Sequence, residues 1–150
     1  MRITDLLDRR SVSLTAAPKT KSETLDMAVD LMVKSEKISD REAYRKQVYL
    51  REEESTTGIG EGIAIPHGKS AHVKEIGVAI GVLKEEIPWE TLDGKGVKGI
   101  ILFAVGDDTE GAQKHLKLLS LFARKLGNDE VTAALLKAKE PQQVIEAFQG

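Results

Sequence analysis

The chain has 150 residues, 41% of them hydrophobic and 31% charged, with 22 Lys and Arg against 24 Asp and Glu and a formal charge of -2 at pH 7. That length fits one domain, residues 1–150, with enough interior to fold without staples. The near-neutral balance gives no basic footprint for nucleic acid or an anionic membrane, no apolar run approaches the ~18 residues of a spanning helix, and zero cysteines exclude disulfides, thiolate nucleophiles and cysteine metal sites.

The N-terminal "MRITDLLDRRSV" lacks the apolar core of a secretory leader, so a cytoplasmic location is expected. Thr20 or Ser22 caps a predicted helix in which Leu25, Ala28, Val29, Met32 and Val33 recur at helical spacing. The spacing of "SDREAYRKQVYLREEES" predicts a second helix over 40–54, opened by a Ser39-x-x-Glu42 capping box, with Glu52, Glu53 and Glu54 as solvated surface acids. "IAI" (63–65) reads as a short strand ended by Pro66. "EIGVAIGVL" alternates Ile76, Val78, Ile80 and Val82 with Gly77, Ala79 and Gly81, a strand with one small-residue face. "VKGIILFAV" (97–105) is apolar throughout and suits a strand covered on both sides, preceded by an Asp93-Gly94 turn. Residues 110–126 return to helical spacing, with His115, Leu118, Leu119, Phe122 and Leu126 on one stripe. Asn128 or Asp129 caps the next helix, and Pro141 takes the first position of a last one. Helices before and after a group of strands indicate an α/β fold, a sheet sandwiched between helices.

The stretch "GIGEGIAIPHGKS" (58–70) carries the chemistry. Its glycines at 58, 60 and 62 do not have the dinucleotide-binding spacing. Five residues separate Gly62 from Gly68 where a P-loop needs four, and Pro66 lacks the N–H that a phosphate cradle uses. Pro66 instead fixes the backbone and aims His67 at the strand's end, while Gly68 lets another chain approach closely. His67, His72 and His115 offer a metal alternative, but no compact ligand motif such as H-E-x-x-H is present. No metal or cofactor is expected, and His72 is expected to face solvent.

The segment beginning at Arg51, "REEESTTGIGEGIAIPHG", resembles the phosphorylation-site signature of the EIIA components of the phosphoenolpyruvate sugar phosphotransferase system, in the fructose/mannitol (type 2) branch. Glu52, Ile59, Gly60, Ile63, Ala64, Ile65, Pro66, His67 and Gly68 each occupy a matching position. "TLDGKGVKGIILFAV", "HLKLLSLFARKL" and "ETLDMAVDLMV" follow the family's order, so the resemblance covers essentially the whole chain; "PWETLDG" and "GDDTEGAQKHL" differ in loop detail. It implies a mixed β-sheet between helices and a phosphotransferase role. His67 would accept the phosphoryl group from the phosphohistidine of HPr and pass it to an EIIB domain, usually onto a cysteine, which this chain lacks and a partner must supply. The membrane EIIC would be an indirect partner, with no direct membrane insertion and no nucleic acid.

His115 matches the family's second active-site histidine and Arg51 an arginine placed to meet the phosphoryl group; Thr57 is placed to position it, and backbone N–H groups near Gly68 add to that. By the same resemblance Nε2 of His67 is the phosphorylated atom, with Nδ1 held by local backbone. For Glu52 the alternative to a surface acid is a role in orienting Arg51. A neutral imidazole is a nucleophile near pH 7, and a phosphoryl transition state asks mainly for alignment and charge stabilisation. The wording around His67 and the "LDG" turn favour the fructose branch. The alternatives are a nitrogen-related regulatory EIIA acting through the phosphorylation state of His67, and a binding domain in which His67 is unreactive.

Overall fold

The computed structural model describes residues 2–149; Met1 and Gly150, the outermost residues of the predicted domain, lie outside the described residues. The N-terminal stretch, which carries no periodic signal, supplies a short helix α1 (Ile3–Leu6), a 3-10 turn (Arg9–Ser11) and the two-residue strand β1 (Val12–Ser13). Helix α2 (Lys21–Lys34) is capped by the Thr20 hydroxyl, which accepts from Glu23 N–H, as the sequence predicts. Helix α3 (Arg41–Glu54) follows, but its cap is Asp40, whose carboxylate accepts from Ala43 N–H. The predicted Ser39–Glu42 capping box is absent: Ser39 Oγ donates to the carbonyl of His72, so a tertiary contact takes the hydroxyl that the local motif would use.

Strands β2 (Gly58–Gly60), β3 (Ile63–Ala64), β4 (His67–Lys69), β5 (Gly77–Ile87) and β6 (Val97–Val105) complete one mixed six-stranded sheet. Its order is β1-β5-β6-β3-β2, with β4 also beside β6. β1 runs parallel to β5, β5 and β6 form an antiparallel pair, and β3 and β4 both lie parallel to β6. Helices α4 (Thr109–Leu126), α5 (Asp129–Lys137) and α6 (Pro141–Ala147) follow, capped by Asp108, by Asn128 and by a box of Glu140 and Gln143.

Two apolar layers lie on the two faces of this sheet, and strand alternation assigns residues to them. Ile100, Leu102 and Ala104 of β6 pack with α2 and α3; Ile101, Phe103 and Val105 pack with α4, α5 and α6. The small-residue face of β5 lies under α2: a Cβ on Gly77 would meet Met32 Sδ at 2.8 Å and one on Gly81 would meet Met27 Cε at 2.9 Å. Full burial of a residue such as Leu102 or Phe103 stabilises by ~1.5–3 kcal/mol, so β6, covered on both sides, is the spine of the molecule. Among the described residues no helix is long and apolar enough to cross a membrane.

Candidate active site

The turn from β2 to β3 runs through Gly60, Glu61 and Gly62, all with positive φ (100°, 55° and 79°). Glycine takes that conformation without steric cost, and Glu61 is held in it by its N–H donating to Asp93 (3.0 Å). β3 then pairs with β6 at Gly99 and Ile100, and Pro66 interrupts the strand rather than ending it. Pro66 has no N–H to donate, but its carbonyl accepts from Phe103 N–H (3.1 Å), and the chain resumes as β4. His67 is therefore the first residue of a strand, in register with Phe103.

Strand alternation fixes what each residue meets. Phe103 faces the α4 layer and so does His67; its ring centroid lies 4.3 Å from that of His115 on α4, the planes tilted by 44°. Gly68, in register with Ala104, faces α3, where an added Cβ would sit 2.8 Å from both Tyr44 and Val48. The predicted close approach at Gly68 is thus made by this chain's own helix and not by another chain. The seat of α4 is equally tight: a Cβ on Gly111 would run into the carbonyl of Gly106.

Arg51, in the last turn of α3, donates from Nε to His67 Nε2 (3.0 Å) and from a terminal nitrogen to the carbonyl of Ser55 (2.9 Å). His67 Nδ1 faces the carbonyl of Ile65 at 3.4 Å. An oxygen that can only accept places the ring proton on Nδ1 and leaves a lone pair on Nε2, which is where Arg51 donates. His67 is 8% exposed and His115 6%. Burial lowers both to a pKa of about 4; at His67 the Ile65 carbonyl opposes the shift while Arg51 and Lys69 reinforce it, and at His115 His67, Lys69 and Arg51 all reinforce it. Both rings are therefore neutral near pH 7. His115 Nδ1 is buried without a hydrogen-bond partner among the described residues.

The cleft beside His67 has a volume of about 610 Å³ and is lined by Arg51, Leu50, Lys69, Gln47, Glu53 and Glu54. Thr57 lies elsewhere: its hydroxyl donates to Glu52 (2.5 Å). Glu52 departs from the surface-acid reading. Its side chain is 5% exposed, and it pairs with Lys21 instead of orienting Arg51 directly. His72 is exposed, as predicted, and no group of three or more metal-binding side chains gathers among the described residues.

Residues 5–150 match the family described as Phosphoenolpyruvate-dependent sugar phosphotransferase system, EIIA 2. The chain belongs to this family. It is 37% identical over 147 residues to a fructose-specific EIIABC component of Bacillus subtilis, covering 97% of this chain but 23% of that protein. It is 35% identical over 133 residues to a fructose-specific EIIA component of Haloferax volcanii, covering 89% of this chain and 85% of that one. The chain thus spans about a quarter of the Bacillus relative's length. Among solved structures, nitrogen regulatory protein IIA-Ntr of Neisseria meningitidis superposes with a TM-score of 0.88 at 26% identity, covering 98% of this chain and 99% of that one. IIA mannitol of Escherichia coli gives 0.81 at 23%, covering 95% and 99%, and supports the type 2 EIIA fold. The mixed sheet between helices is the fold that the resemblance implies.

Proposed function

We propose that the chain is a phosphotransferase carrier, one EIIA unit over residues 1–150, acting in the cytoplasm. It accepts a phosphoryl group from phospho-HPr on His67 Nε2 and passes it to an EIIB domain, ultimately for fructose-type sugar uptake through a membrane EIIC. The observation that carries this reading is the double tether of His67, Nδ1 on the Ile65 carbonyl and Nε2 under Arg51, beside His115.

The step balances without moving a proton. The lone pair of Nε2 bonds to phosphorus, and the electron pair of the donor's P–N bond returns to the donor nitrogen. The His67 ring gains positive character, which the Ile65 carbonyl stabilises through Nδ1–H. That retained proton also keeps the ring a good leaving group for the onward transfer. Arg51 has to turn from Nε2 to the phosphoryl oxygens, where its fork meets their charge. His115 is a neutral donor on the same side. Thr57 and Gly68 act by shaping the loop and seating it on α3.

The fructose assignment is supported by 37% and 35% identity to fructose-specific relatives. A regulatory reading has one observation in its favour, the 0.88 superposition on IIA-Ntr, at 26% identity. The first test is intact-mass detection of a phosphoryl adduct after incubation with phosphoenolpyruvate, Enzyme I and HPr. Wild type gains the adduct and His67→Ala does not; a wild type that stays unmodified while HPr is charged overturns the carrier reading. Onward transfer to a fructose EIIB separates transport from regulation.

A further inference from the structure

Among the charges that oppose their own helix dipoles, one at the start of α2 and one at the end of α3 meet each other. Lys21 is the first residue of α2 and Glu52 lies in the last turn of α3. Each position opposes the helix dipole by ~0.3–1 kcal/mol, so helix formation does not account for either. They meet each other: Lys21 Nζ lies 2.8 Å from Glu52, also 2.7 Å from Glu90, and 5.0 Å above the Trp89 ring. The Glu52 carboxylate accepts from the N–H (3.2 Å) and the hydroxyl (2.5 Å) of Thr57, and so holds the chain where it leaves α3.

That exit, residues 55–57, is where both tethers of His67 end. Arg51, which donates to Nε2, is braced on the Ser55 carbonyl. Ile65, whose carbonyl faces Nδ1, donates its own N–H to the Thr57 carbonyl (2.9 Å). Resting on the carrier reading above, we infer that Glu52, anchored by Lys21, is a positioning residue for phosphoryl transfer: it fixes the 55–57 segment and through it both the direction of the His67 ring and the seat of Arg51. It touches neither the imidazole nor the incoming group.

The test compares wild type, Glu52→Gln and Glu52→Ala, with circular dichroism and a cooperative melt to establish folding. Long-range proton–nitrogen spectra of the unphosphorylated protein read the His67 tautomer directly. Wild type is expected in the Nδ1–H form; Glu52→Ala moves the two ring nitrogens toward the average of both tautomers. In transfer from phospho-HPr, Glu52→Ala lowers kcat at least about tenfold, as a displaced reacting group does, with KM for HPr changed by less than about twofold. Glu52→Gln, whose amide oxygen still accepts from Thr57, recovers most of both. A folded Glu52→Ala with the wild-type tautomer and kcat overturns the inference. Should Glu52→Ala not fold, Thr57→Val removes the shorter of the two contacts and is held to the same outcomes. If wild type takes no phosphoryl from HPr, the carrier reading fails while the tautomer spectra still decide the role of Glu52.

Discussion

The guanidinium of Arg51 occupies the lone pair of His67 Nε2, the atom proposed to attack phosphorus, so the resting site is guarded by the group proposed to serve the transition state. Removing it frees the lone pair but leaves the transferring oxygens without a charged donor. The second effect wins, because a preorganised donor at developing charge typically changes kcat by ~10²–10³. Arg51→Ala is expected to lower single-turnover transfer from phospho-HPr by about that factor. Arg51→Lys recovers little, since one ammonium cannot hold Ser55 and reach Nε2 as the planar fork does. That Arg51, His67 and His115 come together was foreseeable only through the family resemblance, since Arg51 and His115 taken alone read as a solvated charge and a helix-stripe residue. Glu52 was legible only as a signature position that could orient Arg51: a carboxylate in "REEES" at a helix end looks solvated, and only its contacts with Thr57 and with Lys21, thirty-one positions earlier, reveal its burial.

Helix α3 is the element that delivers Arg51, and its start differs from the sequence-based expectation. Asp40→Ala removes the cap of Ala43 N–H and is expected to destabilise by ~1 kcal/mol. Ser39→Ala removes only an exposed contact to the His72 carbonyl and should cost less. Urea unfolding of both variants orders them; the reverse order would restore Ser39 as the cap. The middle of α3 is pressed onto β4, where Tyr44 and Val48 cover Gly68 and the Tyr44 hydroxyl donates to the Phe103 carbonyl (2.7 Å). Gly68→Ala overfills that contact, with an expected loss of ~1–3 kcal/mol in the same measurement. The long elements were readable from their 3.6 or 2 periodicity. β1, β2 and β4 were not, because two or three residues carry no period and each exists through a neighbour: β1 through β5, β2 through β3, β4 through β6.

Across the molecule, the site lies where the two layers meet: His67 from the sheet, Arg51 from the α3 side and His115 from the α4 side. Keeping two neutral imidazoles there links folding to pH. Both have folded pKa values of about 4, below the ordinary ~6.5, so the unfolded chain takes up protons first. The stability they confer is complete above about pH 6.5, falls as the pH is lowered from there toward 4, and levels off below. Melting temperatures of wild type should decline through that window, and a His67→Gln, His115→Gln double variant should decline less; parallel curves would contradict the burial of the pair. The sandwich was foreseeable from the order of elements, whereas the convergence of three elements on one imidazole needed the register of β4 against β6.

Gly111 lies in the first turn of α4, one turn before His115, resting on the carbonyl of Gly106 with no room for a side chain. The close seat of the helix that carries His115 therefore depends on a missing methyl group. Any larger residue at that position would lift the beginning of the helix and carry His115 with it, detuning the pair while leaving every reacting atom in place.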